Sequence, residues 1–150
     1  MKELSEKLLL VVDAAEVRLR QISAAECSKP ILHGGWSRKQ VMGHLIDSAS
    51  NNHQRLVRAA LQTSLDFPRY DTDGNVRVEA PEEADWTLLI SLWAACNRYL
   101  AHMIRRLPAS KLETICRIGD GEPRTLSFVA ADYVEHLLHH LRQIGVADAA

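Results

Sequence analysis

Apolar residues recur every three or four positions in four stretches of the chain, which is the spacing of an amphipathic helix. The predicted helices cover residues 2–24, 37–63, 85–108 and 125–145. Almost nowhere do apolar and polar residues alternate as they would along a half-buried strand. The pattern therefore predicts an all-α protein that folds as a four-helix bundle.

The helix boundaries are predicted from residues that cap or interrupt a helix. Ser37 and Gln40 have the spacing of a capping box, which opens the second helix. Asp85 is predicted to begin the third helix and Pro108 to end it. Thr125 or Ser127 is predicted to begin the fourth helix, which ends near Gly145. Residues 64–85 lack helical periodicity and predict a long connection, whereas residues 110–124 predict at most a short hairpin. Both segments are expected to form walls of a pocket.

Three histidines are the strongest chemical signal in the chain. His136 and His140 lie four residues apart in the fourth helix, so both imidazoles lie on one face of it. His44, in the second helix, would complete a set of three nitrogen ligands. Three protein ligands leave coordination positions open for water or substrate, as in catalytic metal sites. These residues are therefore the predicted ligands of a divalent metal ion.

The positions of these histidines along their helices constrain the topology. At about 1.5 Å of rise per residue, His44 lies roughly 10 Å inside the start of its helix. His140 and His136 lie roughly 7 and 13 Å before the end of theirs. The heights match only if the second and fourth helices run antiparallel. This predicts an up-down-down-up bundle in which the connection between the second and third helices crosses its length.

Polar residues on the same inward stripes are candidates for a catalytic role. Asp47 follows His44 by three residues, and Asp132 precedes His136 by four. Either carboxylate could orient a ligating imidazole or act as a general base. Asn97 lies among apolar residues of the third helix, where an amide needs a partner. A purely structural role remains open for all three.

The other histidines are weaker candidates for metal ligation. His53 is nine residues from His44, about half a turn out of phase, and is expected to face away from the site. His139 is about one hundred degrees from His140 and would replace it only if the helix were rotated. His33, before Trp36, could lie at the rim of the site, although a surface position is favoured.

Composition narrows the class of protein. The chain has 150 residues, with 18 basic and 19 acidic side chains and a formal net charge of −1. One domain covering residues 1–150 is expected, and this charge balance favours neither nucleic acid nor a membrane as a partner. Cys27, Cys96 and Cys116 show no metal-binding spacing, which fits a reducing cytoplasm. The apolar run at residues 8–12 is too short to span a bilayer.

Several motifs together resemble the DinB-like/YfiT-like superfamily. They are Gly35-Trp36-Ser37, Val41-Met-Gly-His44-Leu-Ile-Asp47-Ser, Trp93 with Asn97-Arg98, and Asp132-Tyr-Val-x-His136-Leu-x-His-His140-x-x-Gln143-Ile144. The resemblance covers nearly the whole chain. It implies an up-down-down-up bundle with zinc or nickel on His44, His136 and His140.

The resemblance leaves several functions open, because a fold does not choose its chemistry. Similar proteins include bacillithiol S-transferases, a mycothiol-dependent isomerase and members provisionally named metal-dependent hydrolases. A thiol-dependent S-transferase acting on a small electrophile is favoured, with a low-molecular-weight thiol as candidate cosubstrate. A metal-dependent hydrolase and a non-enzymatic metal- or ligand-binding stress protein are the alternatives. Apolar residues beyond the main stripes, Leu9, Leu10, Leu88 and Leu92, suggest a homodimer.

Overall fold

Four long helices dominate the computed structural model, which describes residues 1–31 and 35–147. They are α1 (Lys2–Leu19), α3 (Arg38–Leu61), α5 (Trp86–Arg105) and α6 (Leu126–Gln143). Two short helices, α2 (Ala24–Cys27) and α4 (Thr72–Glu79), lie between them. Three short strands are β1 (Ser64–Phe67), β2 (Ile115–Ile118) and β3 (Arg124–Thr125), and two 3-10 turns cover Pro81–Glu83 and Ala109–Lys111. The predicted four-helix bundle is confirmed.

Most of the predicted helix starts are confirmed by side-chain caps. The Ser37 hydroxyl accepts from the Gln40 backbone N–H, and the Gln40 side chain accepts from the Ser37 N–H, which completes the capping box. Asp85 caps α5 and Thr125 caps α6, each by accepting the backbone N–H three residues on. After α6, Gly145 adopts φ +80°, a left-handed conformation that glycine enters without steric cost.

The prediction of one continuous helix over residues 2–24 was wrong at its C-terminal end. α1 ends at Leu19, and a separate single-turn helix, α2, begins at Ala24. The reason is a second capping box in which Ser23 and Glu26 exchange side-chain and backbone hydrogen bonds. Because the Ser23 side chain accepts the Glu26 backbone N–H at a new helix start, the chain turns before α2.

α1 and α5 run antiparallel. The Ser5 hydroxyl donates to the Ala101 carbonyl at 2.7 Å, near the start of α1 and the end of α5. At the opposite ends, the Trp86 indole N–H donates to the Leu19 carbonyl at 3.2 Å. α1 and α6 instead run parallel, because Lys7 pairs with Glu135 and Arg18 donates to the carbonyl of Val146.

α3 and α5 run parallel, which makes the bundle up-down-down-up as predicted. Near the start of α3, the Lys39 ammonium donates to the Ala84 carbonyl at 2.6 Å, just before α5 begins. Further along both helices, the rings of His53 and Tyr99 stack with centroids 5.8 Å apart. The segment joining these parallel helices therefore returns along the length of the bundle.

This crossover contains more secondary structure than the sequence pattern indicated. β1 pairs in parallel with β2, and β2 pairs antiparallel with β3, so the crossover and the predicted hairpin form one small sheet. The hairpin is confirmed, whereas β1 and α4 were missed. Four residues of strand and eight of helix are too short to show a clear hydrophobic period.

The end of the crossover packs directly on α3 beside the histidine site. A Cβ atom at Gly43 would lie 2.8 Å from the Cγ of Pro81, closer than carbon atoms approach in folded proteins. The absence of a side chain at Gly43 therefore permits the 3-10 turn at Pro81–Glu83 to contact α3 one residue before His44. Within the described residues, no helix is both long and apolar enough to cross a membrane.

Candidate metal centre

Antiparallel packing of α3 and α6 brings three histidine rings together. The Nε2 atom of His136 lies 3.3 Å from that of His44 and 3.2 Å from that of His140. One ring nitrogen from each of the three lies within 4.8 Å of the others. The three residues predicted as metal ligands thus converge.

The separations of the His136 Nε2 atom from those of His44 and His140 suit a tetrahedral metal. Zinc binds imidazole nitrogens at about 2.0–2.1 Å, so two such ligands at a tetrahedral angle lie ~3.3 Å apart. The Nδ1–H of His140 donates to the Gln143 side-chain oxygen at 2.9 Å, which leaves a lone pair on its Nε2. Gln143 therefore selects the ligating tautomer of His140. The three donors fit a divalent cation.

The protonation of these histidines also suits metal binding. Burial, together with repulsion from His140 and His136, lowers the pKa of His44 to about 4. Burial, with the neighbouring His140, His139 and Arg55, lowers the pKa of His136 to about 4. Burial likewise lowers the pKa of His140. The rings are therefore neutral at pH 7, the form that ligates metals.

His44 is the most buried of the three, with 5% of its surface exposed. Its Nδ1 atom is buried and has no hydrogen-bond partner in the described part of the chain. The Trp36 ring is half-buried, with its centroid 5.7 Å from that of His44. The indole therefore shields one side of the imidazole from water.

The two aspartates predicted near the site occupy different environments. The Asp47 carboxylate accepts from the Asn51 side-chain amide at 2.8 Å and from that of Asn75 at 3.0 Å, which ties α4 to α3. It makes no hydrogen bond to a histidine within the described residues. Asp132 is exposed and lines a cleft together with His136. Of the two, Asp132 is placed to meet a bound molecule.

Asn97 is fully buried and its amide is paired within the core. Its Nδ2 donates to the Trp93 carbonyl at 2.8 Å, and its Oδ1 accepts from the Tyr133 hydroxyl at 2.5 Å. Burial raises the pKa of Tyr133, so the phenol stays protonated and remains the donor. Since Tyr133 lines the cleft, Asn97 reaches the site only by holding Tyr133 in place.

The remaining described histidines lie outside the cluster. His53 stacks on Tyr99, and His102 stacks on the same ring with centroids 6.3 Å apart. His139 is exposed, and it contacts the ring of His140 without joining the convergent nitrogens. The position of His33 lies outside the described residues.

A cleft of about 460 Å³ opens beside His136. Ligand pockets of ~300–1,000 Å³ are typical for small molecules. Its walls come from α3, α6, the crossover and the β2–β3 connection, as the sequence pattern predicted for residues 64–85 and 110–124. Arg55 and Tyr70 line this cleft but were not predicted as site residues. Arg55 lies on the face of α3 that carries His44, and its helical spacing from His44 was the signal in the sequence that could have identified it as a site residue.

Comparison with known proteins finds a matching family and similar sequences. A family model described as the DinB superfamily matches residues 8–144. Two relatives provisionally named metal-dependent hydrolases come from Halalkalibacterium halodurans and Bacillus pumilus. The first is 24% identical over 81% of this chain and 71% of its own length, and the second is 25% identical over 93% and 79%.

Solved structures share the topology. YfiT from Bacillus subtilis, described as a probable metal-dependent hydrolase with an unusual four-helix bundle topology, superposes with a TM-score of 0.82. It is 23% identical, and the match covers 96% of this chain and 85% of YfiT. A mycothiol-dependent maleylpyruvate isomerase is 14% identical with a TM-score of 0.79, and 96% of this chain spans 60% of it. With the family model matching most of its length, this chain belongs to the DinB superfamily.

Proposed function

We propose that His44, His136 and His140 hold one divalent metal ion, zinc or nickel, and that the adjoining cleft binds a small substrate. The convergence of three Nε2 atoms, with separations of 3.2 and 3.3 Å, carries this proposal. His136 belongs both to the convergent set and to the cleft wall, so a bound molecule can reach the ion.

Three nitrogen donors would leave coordination positions of a divalent ion open to water or substrate. A divalent ion in this site would supply Lewis acidity, which lowers the pKa of a water or thiol and stabilises developing negative charge. The protein contributes neutral ligands, a tautomer fixed by Gln143 and shielding by the Trp36 ring. Together these features favour metal-dependent catalysis over a purely structural ion site.

We favour transfer of a thiol to a small electrophile. The thiol sulfur forms a bond to an electrophilic carbon, the leaving group departs with its bonding electrons, and the thiol proton passes to Asp132 or to solvent. The thiol is external, because Cys116 lines the cleft but burial raises its pKa and disfavours its thiolate. The mycothiol dependence of the similar isomerase also supports an external thiol.

Hydrolysis is the second candidate. The Asp132 carboxylate lies one helical turn from His136, lines the same cleft and makes no hydrogen bond within the described residues. It could therefore take a proton from a water that attacks a carbonyl carbon. The names of the two relatives point to this class of reaction.

A parallel assay separates these functions. Both assays compare protein loaded with zinc or nickel with the same protein after chelation. The transferase assay supplies 1-chloro-2,4-dinitrobenzene together with glutathione or cysteine. The hydrolase assay supplies 4-nitrophenyl acetate. Metal-dependent thioether formation supports the transferase, whereas metal-dependent ester cleavage without thiol consumption supports the hydrolase. A His136→Ala variant should abolish either activity. Metal binding without turnover of either substrate would favour a non-enzymatic binding protein.

We also propose that the protein forms a homodimer through α1 and α5. Leu10, Leu88 and Leu92 are 73%, 60% and 45% exposed, although their side chains are large and apolar. Leu9, also expected at this surface, is partly buried against the core. An exposed apolar face formed by two adjacent helices suits an isologous interface, in which the same patch serves both subunits.

A further inference from the structure

One face of α3 continues from the histidine site into the cleft. Residues His44, Ser48, Asn52 and Arg55 follow one another at helical spacing. Arg55 lies eleven positions after His44, which leaves these two residues within about 20° of each other around the helix axis. Ser48, Asn52 and Arg55 all line the cleft. The face of α3 that carries the predicted metal ligand His44 therefore also carries the positively charged Arg55 side chain in the cleft.

Two aromatic rings hold the Arg55 guanidinium. Its Cζ atom lies 5.3 Å from the centroid of Phe67 and 5.8 Å from that of Tyr70. Cations bind the faces of aromatic rings, and the hydrogen-bond donors of arginine project from the edge of its planar group. These contacts fix the guanidinium while leaving its donors available for a ligand.

Arg55 lacks the partners that a buried arginine ordinarily has. Its Nε atom is buried without a hydrogen-bond partner, and the side chain forms no ion pair within the described residues. Desolvation lowers the pKa of Arg55, although Tyr70, Asp47 and Asp132 favour its charged form. The Asp47 carboxylate is already occupied by two asparagine amides. Because an unpaired buried donor is costly, an anionic ligand would stabilise this arrangement.

The rest of the cleft indicates the shape of that ligand. Arg55 is half-buried in the lining of the cleft. The other charged residues described in that lining are exposed: Arg69, Asp120, Glu122, Arg124 and Asp132. Apolar side chains from β2 and α6, including Ile118 and Val129, line the same cleft. A molecule with one negative group and an apolar body would match both features.

We propose that Arg55 binds the carboxylate of a small organic acid and so determines the substrate class of the cleft. This inference rests on the proposed function in placing the acid as a substrate, since the cleft adjoins the metal centre. The binding itself needs only Arg55 and its aromatic neighbours. It can therefore be tested without the metal.

Calorimetric titration of benzoate and of benzamide, which has the same shape without the charge, tests the proposal directly. Both are titrated into metal-loaded and chelated protein, with thermal melting of every variant as a check on folding. We expect benzoate to bind both forms and benzamide to bind at least about 10-fold more weakly, because a hydrogen bond to a charged group is lost. Arg55→Gln should weaken benzoate binding about 10- to 100-fold.

Arg58→Gln is the matched control, because Arg58 is exposed and its guanidinium lies 5.8 Å from the same Phe67 ring. It should bind benzoate as the wild type does. Arg55→Lys keeps the charge but loses the two-pronged donor geometry, so we expect intermediate binding even if Arg55→Gln does not fold. Equal binding of benzoate and benzamide, or undiminished benzoate binding by both Arg55 variants, would overturn the proposal. Benzoate binding only to metal-loaded protein would also overturn it, by placing the carboxylate on the metal.

Discussion

The Nε2 atoms of His44 and His136 lie 3.3 Å apart, although 92 positions separate the two residues in the chain. This contact exists only because α3 and α6 run antiparallel, which in turn requires the crossover between α3 and α5. The unusual order of helix directions in this bundle is therefore what assembles the histidine cluster. The site and the topology depend on each other.

Gln143→Leu should weaken metal binding. The Gln143 oxygen accepts from His140 Nδ1 at 2.9 Å and holds the ring with its Nε2 lone pair toward the cluster. Loss of such a partner typically lowers metal affinity about 10- to 100-fold. Competition with a zinc-sensitive dye measures the change. Gln54→Leu, an exposed substitution on α3, serves as control, and equal affinity in both variants would contradict the proposed role.

Metal retention should extend to lower pH than that of ordinary histidine sites. Burial lowers the pKa of His44 and His136 from 6.5 to about 4 in the metal-free protein. Protons therefore compete with the ion only as the pH falls toward these lowered values. We expect metal to stay bound at about pH 6 and to be released between about pH 5 and pH 4. Dialysis at stepped pH followed by elemental analysis measures this; a release midpoint near 6.5 would be inconsistent with the buried neutral rings.

The same shift predicts how the stability of the chelated protein depends on pH. Between pH 6.5 and about 4, the unfolded chain binds protons at His44 and His136 that the folded chain excludes. The free energy of unfolding should therefore fall as the pH is lowered through this range. Urea titrations of wild type and His44→Ala at several pH values test this; an equally steep loss in both would exclude His44 as its source.

Asn97→Ala should destabilise the protein while leaving its metal content unchanged. The substitution removes the acceptor of the Tyr133 hydroxyl, which is buried, and costs about 1–3 kcal/mol of unfolding free energy. Tyr133→Phe should cost a similar amount, and the double variant should cost less than the sum because both remove one hydrogen bond. Urea titration and elemental analysis measure the two effects. Loss of metal from Asn97→Ala would place this residue at the metal centre instead.

The predicted homodimer is tested by sedimentation. The wild-type protein should sediment at twice the chain mass of 16.8 kDa, and Leu10→Glu with Leu92→Glu should sediment at the chain mass. Val78→Glu is the control, because Val78 is 84% exposed but lies on α4, away from the proposed interface. A wild-type protein that sediments at 16.8 kDa at micromolar concentration would exclude the dimer.

The long helices could be predicted because their signals are local and repeated. Ser37, Asp85 and Thr125 each cap a helix through a hydrogen bond to a backbone N–H three residues on, so neighbouring residues determine the boundary. The set of His44, His136 and His140 was predicted from the four-residue spacing in α6 and the ligand chemistry of imidazole. Helical rise then indicated that only antiparallel helices would bring the three to the same height.

Features that depend on contacts between distant segments could not be predicted in this way. β1 is a strand because it pairs with β2, about fifty residues away, and its own four residues carry little signal. The Tyr133 partner of Asn97 and the aromatic neighbours of Arg55 are likewise set by packing between elements. Asp47 was a candidate to orient a histidine or to act as a general base, but the unpredicted helix α4 supplies Asn75 as its partner.

The most direct test of the proposed metal centre is the metal content of single histidine variants, measured by elemental analysis after purification without chelator. Wild-type protein should contain about one divalent ion per chain, and His44→Ala, His136→Ala and His140→Ala should each lose most of it. His53→Ala and His139→Ala should retain the wild-type content. Wild-type protein without divalent metal under neutral, reducing conditions, or loss of metal from His139→Ala but not from His140→Ala, would contradict the assignment.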